Sequence, residues 1–274
     1  MNSEPEISPA LLLETVVLAV RTAGTHALNN RHRKTDTVMV AAHDVKLKLD
    51  LECQEMIWSL VRQHFPTHAI LAEESADKGQ PADDPHQSPY LWIIDPIDGT
   101  VNFTHGLPWW CCSVAVNYKG KTVAAAVYAP ATNELFTAMH GGPAYCNGIP
   151  LAVSQVNKLK ESMVLTGLDQ KFTEQDQRLT RFLAISDNVQ KARVIGAAAL
   201  DMCRVAAGQS DGYFEGSIYT WDVAAAGFIV EQAGGQAEIL AELSPHRLIF
   251  LATNGYIHDE LKALVNGLNY KKAD

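Results

Sequence analysis

Two aspartates, Asp95 and Asp98, stand at the end of a short apolar run, and their spacing suits them for chemistry. The run at 90–94 predicts a buried strand. Pro96 fixes its own φ and removes a backbone donor, and Gly99 lets the backbone approach a ligand closely. Ligands of open α/β sheets bind at the carboxyl ends of strands, so this segment is suited to hold a hard cation and a phosphate together. The simpler alternative is that Asp-Pro and Asp-Gly are ordinary turn formers.

Three further acids lie at predicted element ends: Glu73 and Glu74 follow a strand, and Asp222 opens a helix, where it is most simply an N-terminal capping acid. Converging carboxylates repel one another unless a cation neutralises them. Oxygen ligands without a Cys/His set suit Mg²⁺, Mn²⁺ or Ca²⁺ rather than Zn²⁺. Two such ions about 4 Å apart would clamp an in-line displacement at phosphorus.

Hydrophobic periodicity predicts the elements that position these acids. Helices are predicted at 9–30, from about Asp44 (as the cap) to Phe65, and at 174–186, 196–207, 223–233 and 257–266. Strands are predicted at 68–72, 90–94, 111–118, 122–128, 134–139, 162–166, 192–195, 212–215, 236–239 and 247–252. Residues 76–89 are polar and proline-rich, which predicts an exposed, mobile loop. Asp50 lies beside the apolar stripe of the second helix, and by pattern alone it is a solvated helix-edge acid.

The order of the elements predicts two halves. Residues 1–150 form an N-terminal α+β half with an antiparallel sheet, and residues 151–274 alternate strand and helix as a mixed α/β half. The N-terminal half carries most of the candidate metal ligands, and the C-terminal half supplies Asp222 and substrate contacts.

Composition narrows the class of protein. The formal net charge of −9 argues against nucleic acid or an anionic membrane as a partner. The sequence contains no unbroken run of about 18 apolar residues, so no transmembrane span is predicted. The N-terminus lacks the basic region of a signal peptide, and the five cysteines form no C-x-x-C pair, so a reducing cytoplasm is expected. No glycine-rich nucleotide-binding loop is present.

Three motifs, in this order and spacing, resemble the inositol monophosphatase family. They are Glu73-Glu74-Ser75, then Asp95-Pro-Ile-Asp-Gly-Thr100 with Asn102 and Phe103, and then Trp221-Asp222-Val-Ala-Ala225 followed by Glu231-Gln-Ala-Gly-Gly235. The resemblance runs from the second helix to the last strand. It implies a Mg²⁺-dependent, Li⁺-sensitive phosphatase with a layered αβαβα sandwich of the sugar-phosphatase type.

The resemblance also implies a set of metal ligands. Glu73, Asp95 and the Ile97 carbonyl, together with Thr100, would surround a first ion. Asp95, Asp98 and Asp222 would hold a second, and Glu73 would help with a third. Two or three Mg²⁺ ions are therefore expected, with Mn²⁺ as a possible substitute.

Water and substrate contacts follow from the same resemblance. Asp50 and Thr100 would activate the attacking water, which reverses the simple interpretation of Asp50, and Glu74 would orient the surrounding shell. The remaining residues would bind phosphate or substrate: Gly99 and Thr100 through their amides, Glu215 through substrate hydroxyls, and Gly196, Ala197 and Asp222 beside the substrate.

Some positions depart from the family pattern. The usual D-x-V-T-x-x-D element reads Asp44-Val-Lys-Leu-Lys-Leu-Asp50, so Lys46 replaces an apolar residue and Leu47 replaces threonine. Ala197 stands where many inositol enzymes have threonine. An upstream family lysine matches Lys34 only with a different spacing. These departures leave the metal ligands intact and bear on the substrate.

The expected function is hydrolysis of a small sugar or polyol phosphate by activated water, with inositol 1-phosphate first. Fructose 1,6-bisphosphate, histidinol phosphate and, last, a 3′-phosphonucleotide are the alternatives within the family. Val101, not the lysine usual in nucleotidases, follows Asp-Gly-Thr. A catalytically silent metal- or phosphate-binding regulatory protein is the alternative of a different class, and the retained acids speak against it. A homodimer is expected from the resemblance, and Trp109-Trp110 is either a subunit contact or core.

Overall fold

Two β-sheets with helices on their faces form the part of the chain that the computed structural model describes, residues 7–40, 45–76, 88–168 and 177–267. The sheets have seven and five strands. A separate two-stranded ribbon pairs β1 (Thr37–Val40) with β2 (Val45–Leu47) in antiparallel fashion. Each large sheet has apolar faces that must be covered by another layer, which explains the helices on both sides.

The seven-stranded sheet contains the strand of Asp95 and Asp98. Its order is β3 (Ala69–Ala72), β4 (Tyr90–Asp98), β5 (Cys111–Tyr118), β6 (Lys121–Ala129), β7 (Glu134–Met139), β8 (Tyr145–Cys146) and β9 (Ile149–Pro150). The predicted antiparallel arrangement is confirmed from β4 to β9. The pair formed by β3 and β4 differs, because these two strands are parallel.

The five-stranded sheet contains both parallel and antiparallel pairs, and its strands alternate with helices as predicted for the first part of the C-terminal half. Its order is β11 (Lys191–Arg193), β10 (Met163–Thr166), β12 (Gly212–Tyr219), β14 (Arg247–Thr253) and β13 (Gln236–Ser244). The first three strands in this order are parallel, and the last three pair in antiparallel fashion.

Helices complete five layers, so the predicted αβαβα sandwich is confirmed. The outer layer on the seven-stranded sheet consists of α1 (Pro9–Asn29) and α2 (Lys48–His64). The central layer, between the two sheets, consists of α6 (Ala198–Ala206) and α7 (Thr220–Gln232). The outer layer on the five-stranded sheet consists of α5 (Gln177–Asn188) and α8 (His258–Asn266). Two short helices, α3 (Glu73–Ala76) and α4 (Thr100–His105), follow β3 and β4 directly. Three buried apolar clusters fill the spaces between the layers.

The central helix α7 explains how the two sheets come together. It contacts β4, β5 and β6 on one side and β13 and β14 on the other. Its buried residues lie on all sides of the helix, as expected for a helix enclosed between two sheets. Small residues, such as Gly227, let the layers approach, because a Cβ there would lie 2.9 Å from the Phe250 ring.

Several predicted element ends are wrong, and three of them bear on the candidate acids. The second helix begins at Lys48 rather than at Asp44, because residues 45–47 pair as β2; Asp44 itself lies outside the described residues. The β4 strand continues past Asp95 to Asp98 through a shift in register. The β12 strand likewise continues past Glu215 to Tyr219 through a register shift.

Helix α1 is long and apolar enough to cross a membrane by length and composition, although its apolar residues do not form an unbroken run. It lies near the N-terminus, and its residues Leu12, Val16 and Val20 are fully buried. The helix packs on α2, β5 and β6, so its apolar face covers the seven-stranded sheet.

The predicted boundary at residue 150 coincides with the end of β9, and the five-stranded sheet begins at β10. However, α6 and α7 from the second half line the inner face of the first sheet. The division into two halves stays a prediction. Trp110 belongs to the core, since it is buried and its ring meets Phe103 edge-on at 4.8 Å. The dimer therefore stays an expectation that is based on the family resemblance alone.

Candidate active site

Parallel pairing of β3 and β4 brings the first acids together. Ala72 pairs with Ile94, so Glu73 and Asp95 follow at neighbouring carboxyl ends of the sheet. Asp95 is buried, and this burial, followed by the charge of Glu73, raises the pKa of its carboxyl.

The irregular end of β4 positions the carbonyl and the amides predicted to bind ligands. The Thr100 hydroxyl donates to the Ile97 carbonyl oxygen at 2.8 Å. Gly99 has a φ of 86°, a left-handed conformation that turns the chain from the strand into α4. A Cβ on Gly99 would lie 3.0 Å from the Cβ of Ala197 and 3.2 Å from the carbonyl oxygen of Gly196. The predicted phosphate-binding turn therefore packs directly on the predicted substrate-side loop.

Helix α2 positions Asp50 and the α3 acids. Asp50 is buried, and its Oδ2 accepts from the Leu47 amide at 2.7 Å. Leu47 has no side-chain acceptor, so only this half of a capping box exists. One turn along, the Gln54 side chain accepts from the Glu74 amide at 3.0 Å and donates to Ser75 at 3.0 Å. These contacts fix α3 against α2, on the face that carries Asp50.

Asp222 reaches the same place from the central layer. It lies in the first turn of α7, and its Oδ2 accepts from the Tyr219 amide at 3.0 Å. The pattern predicted an N-cap or first-turn acid; the N-cap is Tyr219, so Asp222 is the first-turn acid of α7. The Asp222 charge also acts on both Glu73 and Asp95, so this first-turn acid is part of the acidic cluster as well.

The electrostatics of the cluster show that these acids converge. Burial, followed by the charges of Asp222, Glu74 and Asp50, raises the pKa of Glu73 well above its usual range, against the influence of Lys46. Burial and the charges of Glu73, Asp98 and Asp222 raise the pKa of Asp95 in the same way. Without a cation, such a group of carboxylates is forced toward the protonated form.

The donor set fits a hard divalent cation. Asp95 Oδ1 is buried and lacks a hydrogen-bond partner among the described residues, an arrangement that usually costs free energy unless an ion or water satisfies the atom. Carboxylates and the Ile97 carbonyl are the oxygen ligands that Mg²⁺ prefers. No three acidic, imidazole or thiol side chains within the described ranges are already gathered as a ligand set.

Asp98 has a second set of contacts that the sequence did not predict. Its two carboxylate oxygens accept from the Ala198 and Ala199 amides at 3.1 and 2.8 Å, at the start of α6. Cys111 Sγ donates to it at 3.4 Å. Burial raises the pKa of Asp98 to about 6, and these hydrogen bonds oppose the rise. Asp98 thus ties the strand of the acids to α6, 100 residues away.

Asn102 strengthens the same junction, although its motif gave no role for it. Its side-chain amide donates to the carbonyl oxygens of Trp109, Ile195 and Gly196, at 2.9, 2.9 and 3.2 Å. Gly196 has a φ of 87°, a left-handed conformation, and it lies between this hydrogen bond and the start of α6. Asn102 therefore fixes the turn at 99–100 against the loop at 195–197.

Glu215 lies close to the backbone of the neighbouring strand. The parallel pairing of β10 with β12 places Gly167 beside it, and a Cβ on Gly167 would lie 1.6 Å from Glu215 Oε2. Tyr213 donates to the same oxygen at 3.5 Å. The space above Gly167 is therefore filled by the carboxylate, and this glycine is a positioning residue that sequence analysis missed.

The structure brings together Asp50, Glu73, Glu74, Asp95 and Asp222 as one cluster, with Asp98 adjacent. It brings together Gly99, Gly196 and Ala197 as one junction. The Lys34 ammonium lies 3.3 Å from the Cβ position of Gly106, at the carboxyl end of α4, where a cation is favourable. The individual roles predicted for these residues stay predictions, and most of the loop at 76–89 lies outside the described residues.

The sequence profile of the inositol monophosphatase family matches residues 9–266. The chain belongs to the inositol monophosphatase family. It is accordingly a phosphoric monoester hydrolase of a metal-dependent family that acts on small phosphorylated substrates.

Relatives of this family member carry different names. Nus factor SuhB of Pasteurella multocida is 38% identical over 232 residues, which cover 82% of this chain and 83% of that protein. The fructose-1,6-bisphosphatase/inositol-1-monophosphatase of Thermotoga maritima is 37% identical over 230 residues, covering 81% and 83%. The structure of inositol monophosphatase from Anabaena (Nostoc) sp. superposes with a TM-score of 0.78 and 31% identity, over 95% of this chain and 97% of that one.

Proposed function

We propose that this chain is a Mg²⁺-dependent inositol monophosphatase that hydrolyses inositol 1-phosphate with water as the nucleophile. The observation that carries the proposal is the convergence of Glu73, Asp95 and Asp222, from three different elements, around a buried oxygen of Asp95 that has no hydrogen-bond partner among the described residues. This arrangement is costly for folding unless a cation binds there. Membership of a metal-dependent phosphatase family supports the same chemistry.

Glu73, Asp95, Asp222 and the Ile97 carbonyl would hold the ions, and Asp98 would complete the set. When bound, Mg²⁺ lowers the pKa of a coordinated water and stabilises the charge of the leaving oxygen. Asp98 would bind an ion while its oxygens also accept hydrogen bonds from the α6 amides. A shift of α6 would therefore move this metal ligand.

Asp50 and Thr100 would remove the proton of the attacking water. The Leu47 amide fixes the orientation of the Asp50 carboxylate at 2.7 Å, and the Ile97 carbonyl fixes the Thr100 hydroxyl at 2.8 Å. General-base catalysis by a positioned side chain contributes about 10²–10⁴-fold to a rate. Glu74, held through its amide by Gln54, would orient the surrounding groups.

The amides of Gly99 and Thr100 would bind the phosphate, and Glu215 would accept hydrogen bonds from substrate hydroxyls. Gly196 and Ala197 would border the substrate, since both lie against Gly99. A polyol ring carries several hydroxyls, and a carboxylate is a strong acceptor for them. This arrangement supports a sugar or polyol phosphate as the substrate class.

Fructose 1,6-bisphosphate is the second candidate substrate. The relative from Thermotoga maritima is named for both fructose-1,6-bisphosphatase and inositol-1-monophosphatase activity, which favours testing both on this chain. The proposal also includes inhibition by Li⁺ and assembly as a homodimer, both supported by the family resemblance. It includes a cytoplasmic location, which the cysteine content supports. The name Nus factor belongs to the relative from Pasteurella multocida, and the acidic cluster favours catalysis for this chain.

The test is a phosphate-release panel with inositol 1-phosphate, fructose 1,6-bisphosphate, histidinol phosphate and adenosine 3′,5′-bisphosphate, with Mg²⁺ and with added Li⁺. Asp95→Asn and Asp222→Asn should abolish release while the circular dichroism spectrum stays unchanged. Asp187→Asn, on the exposed surface of α5, is the matched control and should keep full activity. Near-normal activity of Asp95→Asn would refute the metal assignment, and a preference for another ester would replace the substrate.

A further inference from the structure

Lys46 is a cation inside the acidic cluster. It lies in β2, and its ammonium nitrogen is 3.6 Å from Glu74 Oε2. The two side chains are 12% and 4% exposed, so the pair is largely withdrawn from water. The charge of Lys46 also acts on Glu73, opposing the acids that surround it.

A lysine in this position needs an explanation. Removing an ammonium group from water is unfavourable unless opposite charges compensate it, so lysines are rarely buried without a partner. Here the neighbouring groups are the acids of the cluster, whose mutual repulsion the ammonium relieves. The element that resembles the family pattern has an apolar residue at this position, so the charge is a feature of this chain.

We propose that the Lys46 ammonium is a built-in cation of the acidic cluster that takes the place of the third divalent ion, the one expected at Glu73. The inference rests on the proposed metal-dependent function and narrows the expected two or three ions to two. The ammonium lies 3.6 Å from Glu74 Oε2, and its charge also acts on the adjacent Glu73. A third Mg²⁺ ion on this side of Glu73 would add a positive charge next to one that is already present, and the two charges would repel each other.

The structure also indicates what the built-in charge does before any ion binds. Glu74 is held by Lys46 at its carboxylate and by Gln54 at its backbone amide. Helix α3 is therefore fixed in place without a divalent ion on this side. The two ions that do bind are expected to use Glu73, Asp95, Asp98 and Asp222.

The experiment counts bound ions directly rather than through turnover. Wild type, Lys46→Met and Lys46→Gln are titrated with Mn²⁺, and free Mn²⁺ is measured by electron paramagnetic resonance. Lys46→Arg keeps a positive charge at the site. Lys48→Met is the matched control, because it removes the same charge from an exposed position two residues away.

Lys46→Met and Lys46→Gln should bind one more Mn²⁺ per chain than wild type, whereas the Lys46→Arg and Lys48→Met proteins should bind the wild-type number. The thermal midpoint of Lys46→Met should be lower than that of wild type in the metal-free protein, and Mn²⁺ should raise it more. Equal stoichiometry and affinity, within twofold, in wild type and both neutral variants would overturn the inference.

A Lys46→Met protein that stays unfolded in saturating Mn²⁺ would overturn it as well, because a divalent ion would then be unable to replace the ammonium. Failure of the underlying function gives a different result: wild type would bind no Mn²⁺ at all. The two failures are therefore separate outcomes of one titration.

Discussion

Replacing Gly167 with alanine tests whether Glu215 contacts the substrate without removing the carboxylate. The new Cβ would lie 1.6 Å from Glu215 Oε2, whereas ordinary contact begins at 3.4 Å, so the oxygen must move by the difference of 1.8 Å. Only the end of a flexible side chain has to shift, and Gly167 does not have a positive φ, so the fold should be retained.

The expected effect follows from that displacement. A shift of about 1 Å in a positioned group can cost about 10²-fold in rate, so kcat/KM for inositol 1-phosphate should fall by about 10–10²-fold. Because Glu215 is assigned to hydroxyls remote from the phosphorus, most of the loss should lie in KM rather than kcat. The assay is phosphate release at saturating Mg²⁺, with the thermal midpoint measured in parallel.

Gly142→Ala is the matched control, since its Cβ would meet Met139 at an ordinary 3.5 Å and the glycine has no positive φ. Adding Gly167→Ala to Glu215→Ala should cause no further loss if the alanine acts through the carboxylate. The reasoning fails if Gly167→Ala keeps kcat/KM within twofold of wild type. It also fails if the two substitutions reduce kcat/KM additively.

Three further predictions concern the layers that hold the site. Asn102→Ala leaves three carbonyl groups without their donor and should lower the free energy of unfolding by about 1–3 kcal/mol in urea, with a parallel fall in kcat. Arg204 binds Glu134 through two hydrogen bonds of 2.6 and 2.7 Å and lowers the pKa of that carboxyl. Glu134→Gln should therefore lower the free energy of unfolding by about 1–2 kcal/mol at neutral pH. This loss should shrink as the pH falls below the ordinary carboxyl pKa of 4.5 and through the lowered pKa of Glu134. A loss that does not change with pH would contradict the assignment. Gly24→Ala should be destabilising by about 1–2 kcal/mol in thermal unfolding, despite the better helix propensity of alanine, because the new Cβ would lie 2.8 Å from Tyr128.

Periodicity predicted most of the helices and strands, because it reports burial and burial decides which face of each element packs inward. The layered arrangement of these elements was expected from the family resemblance. The element ends at the acids were wrong for a different reason. Asp95 and Glu215 both mark a stop in the apolar pattern, yet β4 and β12 continue beyond them by register shifts. Pairing with a neighbouring strand decides where a strand ends, and a single sequence does not contain that partner.

The contacts that assemble the site were beyond prediction in the same way. Asp98 meets α6 across 100 residues, and Asn102 meets Ile195 across 93. Nothing in the local pattern of either residue indicates those amides and carbonyls. The sequence contains a weak signal for the contacts of Gln54, because this polar residue lies one turn from Asp50 on the buried side of α2.

The central position of α7 decides what can be made as a fragment. Strands β3–β9 are complete by residue 150, but the covering of their inner face comes from α6 and α7, later in the chain. A fragment ending at residue 150 would expose Ile93, Val127 and Phe136 to water and offer that surface to other copies. We therefore expect that residues 1–150 do not fold by themselves, and that a split of the chain must keep α6 and α7 together with β3–β9.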